Sequence, residues 1–174
     1  MNRCFAPLIW IGMAVGALAE PATPVAAPTV GLLELGVFCT PVEMGEAPAP
    51  GTLSGKVHVP FDDIRFDWPD RQVVPAKIGL AFGVRAELAP GNAVPFGEVR
   101  VYLPGRVQPE IWGSSFSDLG ATFSFFSFDR EEELIPGIWR FEAWDGENRM
   151  YLVEFEVVPA TSEPGVAGAC GAVS

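Results

Sequence analysis

The sequence predicts an all-β protein, an antiparallel β-sandwich in a single domain. Three observations carry this expectation. Apolar and polar residues alternate with a period of two along several stretches, Pro and Gly interrupt the chain at intervals of roughly 8 to 12 residues, and no stretch longer than one turn keeps a helical period. The composition agrees: 49% apolar and 19% charged residues, with 19 Gly and 17 Pro among 174 residues, describe a folded, loop-rich chain and not a disordered or rod-like one.

The first element is read as a targeting segment. Arg3 supplies positive charge, Phe5 to Leu18 is almost wholly apolar, and Ala17-Leu18-Ala19 offers the small-x-small pattern of a cleavage site, so residues 1–19 are expected to be a secretory signal peptide cut after Ala19. The apolar run is short of the roughly 20 residues a membrane span needs. No second stretch approaches that length, so no membrane span is expected after cleavage. Residues 20–29 (EPATPVAAPT) read as a Pro/Ala-rich linker, extended or mobile.

The domain is expected over residues 30–159. In residues 30–40, Leu33, Leu35, Val37 and Cys39 alternate with Glu34, Gly36 and Phe38, a strand with one buried face. Residues 41–51 are a Pro/Gly loop. Weaker strand signals follow at 56–60 and 61–68, broken by Asp62-Asp63 and Pro69. Ile78, Leu80, Phe82, Val84, Ala86 and Leu88 then form an unbroken apolar face, stopped by the turn residues Ala89-Pro90-Gly91-Asn92. Val99, Val101 and Leu103 give the next strand, ended by Pro104-Gly105. In residues 120–128 (GATFSFFSF) the aromatic phase changes from Phe123/Phe125 to Phe126/Phe128, which implies either a bulge or a strand buried on both faces. Residues 129–134 can wind a single turn. Trp139, Phe141 and Ala143, a reversal at Asp145-Gly146-Glu147-Asn148, and Tyr151, Val153, Phe155 and Val157 read as a terminal β-hairpin. This succession of short strands is that of an immunoglobulin-like antiparallel β-sandwich, with a closed barrel as the runner-up.

Residues 160–174 have the composition of a flexible tail, yet they carry Cys170. Cleavage would discard Cys4 and leave Cys39 and Cys170, an even pair in an exported chain, which most simply reads as one disulfide stapling the tail to the first strand. The alternatives are a buried free thiol at Cys39 or an intermolecular bridge through Cys170.

Composition also excludes chemistry. With 22 acidic and 11 basic residues and a net charge of −11, and no segregated basic patch, nucleic-acid binding is not expected. The single histidine, His58, leaves the chain without the imidazoles or thiolates of most zinc and copper sites. A Ser/His/Asp set would need His58 beside Ser54, Ser114 or Ser115, none of which sits in a nucleophile elbow. His58 alternates with Val57 and Val59 and reads as an exposed strand residue. A glycosidase pair of carboxylates would need a deep cleft that a small sandwich lacks. Asp62, Asp63, Asp67 and Asp70 crowd together, but they interleave with Phe61, Ile64, Phe66 and Trp68 and miss the order of a dedicated calcium loop, so a solvated strand face is the better reading. Glu131-Glu132-Glu133 reads as a solvated turn. No catalytic residue, metal or cofactor is expected. Trp68 and Trp112 fall in expected loops and are candidate binding residues, against the simpler reading that they cap the core.

Three segments carry a resemblance. Lys77-Ile78-Gly79-Leu80-Ala81-Phe82-Gly83-Val84-Arg85, then Phe128-Asp129 with Glu133-Leu134-Ile135-Pro136-Gly137-Ile138-Trp139, and Phe155-Glu156-Val157 resemble markers of a family of small exported bacterial domains of unknown function. The resemblance covers residues 30–159. It implies a sandwich and no assigned chemistry, and it carries over no catalytic or ligand residue. The Cys39/Cys170 pair is not part of its pattern.

The expected function is that of a non-enzymatic, periplasmic or secreted β-sandwich acting by protein–protein binding, with another envelope protein as partner, through sheet edges or loops. The alternative is an accessory envelope module that binds carbohydrate or calcium. Oligomeric state is not legible.

Overall fold

The computed structural model describes residues 20–41, 44–52, 55–60 and 63–170; the expected signal peptide, Ser54 and Asp62 lie outside these. The strands are β1 Val25–Ala26, β2 Val30–Cys39, β3 Met44–Pro48, β4 Lys56–Pro60, β5 Trp68–Pro69, β6 Val73–Ala76, β7 Leu80–Leu88, β8 Ala93–Tyr102, β9 Glu110–Ser117, β10 Thr122–Ser127, β11 Gly137–Asp145 and β12 Asn148–Pro159. Among the described residues one short α-helix, α1 Pro164–Ala167, follows β12.

Strand order identifies the architecture. One sheet runs β10-β7-β2-β5 and the other β1-β12-β11-β8-β9, with β6 added to β12. All pairings are antiparallel except β6 with β12, where Val73 lies opposite Glu156. β2, β7 and β10 thus stand where an immunoglobulin domain has strands A, B and E. β6, β12, β11, β8 and β9 stand where it has A′, G, F, C and C′. The protein is an immunoglobulin-like antiparallel β-sandwich. Its peculiarity is the length of chain between the A and A′ positions, which holds the separate hairpin β3–β4.

The period-two stretches form the expected central elements because their apolar faces meet across the two sheets. Phe82, fully buried, touches the rings of Phe126, Phe128, Trp139, Phe141 and Phe155, with centroids 5.1–6.3 Å apart. Trp139 donates its indole N–H to the Ile135 carbonyl at 2.8 Å, so the ring is buried without stranding a donor. The predicted turns form at Gly91 and Gly146, whose φ values of 81° and 56° are those glycine takes without a Cβ penalty.

The aromatic phase change has a definite outcome. β10 pairs with β7 in unbroken register from Thr122/Ala86 to Ser127/Ala81, so there is no bulge; the strand is covered on both faces. Phe126 and Phe128 face the sandwich core. Phe123 and Phe125 instead join Phe38 and Phe66 in a second aromatic cluster on the outer face of the same sheet. Glycine makes room for it. A Cβ on Gly83 would lie 2.3 Å from the Ser124 carbonyl oxygen and 2.6 Å from Phe125, and one on Gly36 would lie 2.8 Å from the Phe66 ring.

Several expectations are corrected. Ile78 does not belong to the apolar face; it is 45% exposed, because the turn at Gly79, with φ of 88°, precedes β7. Residues 61–68 do not make a strand: residues 63–67 are irregular, and only Trp68–Pro69 pairs, as a two-residue edge on Gly36 and Val37. Trp112 lies within β9 and Trp68 in β5, not in loops. Part of the linker is strand, with Val25 and Ala26 paired to Leu152 and Tyr151. The tail is built as a 3-10 turn at Ala160–Ser162 followed by α1. Val166, Ala167 and Cys170 are buried there, Arg71 pairs with Glu163, and Cys39–Cys170 form the expected disulfide, with Cα atoms 5.4 Å apart. Small-residue composition hid this because the anchor is one covalent bond and a few apolar contacts. Among the described residues no helix is long and apolar enough to cross a membrane.

Candidate functional site

The inserted hairpin β3–β4 has little core of its own and leans on the open side of the sandwich, between the edge strands β9 and β10. Its tip is fixed where Ile111 donates its backbone N–H to the Gly51 carbonyl at 3.1 Å; a Cβ on Gly51 would lie 2.4 Å from the Ile111 carbonyl oxygen. Its middle is fixed by His58, which lies opposite Glu46. β4 does not keep its polar side outward: Lys56 and His58 reach the body of the protein along with Val57, while Val59 is 44% exposed.

Beneath the hairpin is a cavity of about 220 Å³. β9 contributes Glu110, which is buried, and Trp112, two residues on and on the same face. β10 contributes Phe125, Phe126 and Ser127, and the following turn Asp129, Arg130 and Glu133. The hairpin supplies Glu46, Thr52, Lys56, Val57 and His58.

The ionisable groups are arranged in pairs. His58 Nε2 lies 2.6 Å from Asp129 Oδ2. This bond raises the His58 pKa above its ordinary value against the opposing effect of burial. The same bond, helped by one from Ser127, lowers the Asp129 pKa. With the carboxylate ionised, His58 donates. Ser127 Oγ donates to Asp129 Oδ1 at 3.0 Å; its one proton is then used, so Thr40 Oγ1 donates to Ser127 Oγ at 2.7 Å. Lys56 pairs with Glu46 across the hairpin. Glu133 accepts the backbone N–H groups of Asp129 and Arg130 at 2.8 and 3.0 Å, which holds Asp129 in place.

The chain Thr40–Ser127–Asp129–His58 is not a hydrolytic triad. In a triad the hydroxyl sits on the imidazole and the carboxylate behind it. Here both hydroxyls sit behind the carboxylate, and the His58 nitrogen that faces Asp129 is occupied. The arrangement orients the imidazole ring; it does not activate Ser127. What the site offers is hydrogen-bonding groups of both kinds in a cavity that Trp112 also lines.

Of the residues singled out in the sequence, Trp112 lines this cavity and Trp68 does not; both are half-buried and pack against the core. Cys39 is next to Thr40, so the disulfide borders the hydrogen-bonded chain. Asp67 is engaged in accepting the Cys39 backbone N–H at 2.8 Å. Among the described residues no three acidic, histidine or cysteine side chains are grouped to hold a metal ion. His58 is half-buried and paired, contrary to the exposed placement expected. Sequence spacing gave no signal for it, since His58 and Asp129 are 71 residues apart.

No protein-family model and no curated protein matches the chain. Among solved structures the chain is similar to an immunoglobulin-like protein from Pseudomonas aeruginosa, with 20% identity and a TM-score of 0.48, over 82% of this chain and 100% of that one. The assignment here rests on the strand order. It extends to the immunoglobulin-like fold and not to the family of small exported bacterial domains that the sequence resembles.

Proposed function

We propose that the protein is an exported, non-enzymatic module that acts by binding another component of the cell envelope through the cavity under the β3–β4 hairpin. The observation that carries this reading is the orientation of the hairpin. A surface hairpin ordinarily keeps its polar side outward; this one brings Lys56 and His58, together with Val57, to the cavity that Trp112 also lines, and leaves Val59 44% exposed. Local rules are broken in this way where a site uses the exception. Export is supported by the signal-like residues 1–19 and by the Cys39–Cys170 bond, which persists in oxidising compartments. The non-enzymatic reading is supported by the order of the Thr40–Ser127–Asp129–His58 chain.

The cavity is favoured over strand addition at a sheet edge, because the β9 edge is already engaged. Gly51 takes up the Ile111 N–H, and Thr122 Oγ1 donates to the Ser115 carbonyl at 2.6 Å. Such devices protect an edge from further pairing. The test is capture from envelope extract by the tagged, processed protein. Capture of a defined component should be lost with Trp112→Ala and kept with Trp68→Ala. Equal capture by both variants would reject the cavity as the contact.

A further inference from the structure

We infer that the group taken into this cavity is a single neutral sugar ring, a terminal or branch monosaccharide of an envelope glycan; the inference rests on the binding reading above and names its ligand. Three features select that chemistry. Most of the charged groups around the cavity are already engaged, Lys56 with Glu46, His58 with Asp129, and Glu133 with the Asp129 and Arg130 backbone N–H groups, so an added cation or anion would have to displace a partner. A hydroxyl is both donor and acceptor, and it can add to these pairs without breaking them, accepting from imidazolium or ammonium and donating to carboxylate. The lining includes Trp112, and the electron-rich face of such a ring suits the slightly positive C–H face of a pyranose.

Size narrows the choice further. A volume of about 220 Å³ is below the roughly 300–1,000 Å³ of pockets for drug-sized ligands. One ring fits; an extended chain has to leave through the mouth. A single ring of a dozen heavy atoms supports a Kd on the order of 1 mM, so useful affinity in the envelope requires several copies of the ligand or of the protein.

The test is an NMR titration of the full processed protein. The probes are glucose, galactose, mannose and N-acetylglucosamine, with glucuronate, glucosamine and inorganic phosphate as charged controls. The indole N–H signal of Trp112, assigned by its loss in Trp112→Phe, and the His58 ring signals are followed. At least one neutral sugar should shift both saturably, with affinity reduced tenfold or more by Trp112→Ala and unchanged by Trp68→Ala. Shifts produced only by the charged probes, shifts confined to other residues, or no shift with any neutral sugar would each overturn the inference. The wild-type titration stands even where Trp112→Ala folds poorly. Loss of envelope capture with Trp112→Ala in the absence of sugar binding would leave the binding reading intact and remove the sugar alone.

Discussion

Breaking the Cys39–Cys170 bond tests how the tail contributes to the fold. The two residues are 131 apart in sequence. In the chain-entropy description, closing a loop of that size removes about 5 kcal/mol of freedom from the unfolded chain. The native side reduces this figure. The tail is otherwise held by buried Val166 and Ala167 and by the Arg71–Glu163 ion pair, so the reduced protein regains part of the entropy by releasing residues 160–170 while the sandwich stays folded. About 5 kcal/mol is therefore an upper bound. For a chain of this size each kcal/mol moves the Tm by about 2–4 °C, giving a fall of up to about 20 °C. The assay is thermal unfolding by circular dichroism of the oxidised protein beside the Cys39→Ser/Cys170→Ser double variant. Hydrogen exchange should separate the two contributions, with faster exchange over 160–170 and unchanged protection in β7 and β11. A Tm change under about 2 °C, or two labelled thiols in denatured, unreduced protein, would refute the reasoning.

Four further outcomes follow from the packing and the His58 pair. Gly83→Ala should cost about 2–4 kcal/mol, because its Cβ would lie 2.3 Å from the Ser124 carbonyl oxygen and part β10 from β7. Gly113→Ala, with nothing within 4 Å, should stay within about 0.5 kcal/mol of wild type; urea midpoints check both. Phe82→Ala removes the ring that joins the core aromatics of both sheets and should cost about 3–5 kcal/mol, read from the same curves. The His58–Asp129 pair should stabilise over a pH window. Raising the His58 pKa makes its contribution complete below its ordinary 6.5 and lost as pH climbs through the raised value. Lowering that of Asp129 makes its contribution complete above its ordinary 3.8 and lost as pH falls through the lowered value. The stability difference between wild type and His58→Ala should therefore be largest near pH 5, about 1 kcal/mol for a half-buried pair that solvent still screens. It should shrink as pH climbs above 6.5 and through the raised value; a difference independent of pH would contradict the pairing.

The sandwich was legible because its determinants are local and repetitive. Leu80 to Leu88 and the Trp139/Tyr151 hairpin alternate strictly, and alternation is what a two-faced sheet requires. Where one strand is buried on both faces the same rule becomes ambiguous. Phe123 and Phe125 left a bulge and a doubly buried strand as alternatives because their partners, Phe38 and Phe66, come from far along the chain. The cavity was less legible still. Its lining residue Trp112 stood out as an aromatic candidate, but His58 looked exposed, since its valine neighbours should have turned inward on a self-sufficient strand. The β3–β4 hairpin is not self-sufficient. It is oriented by the Ile111–Gly51 bond and by the His58–Asp129 bond, long-range polar contacts that leave no periodic trace in a single sequence.

The central claim, that the protein works by binding at the hairpin-covered cavity, is tested most directly by photo-crosslinking in intact cells. A photoreactive residue replaces Arg130 at the mouth of the cavity or, as control, exposed Arg106 in the turn after β8. The account predicts a discrete crosslinked product from position 130 that is absent from position 106 and lost when Trp112→Ala is added. The same product from both positions, or none from position 130, would contradict it.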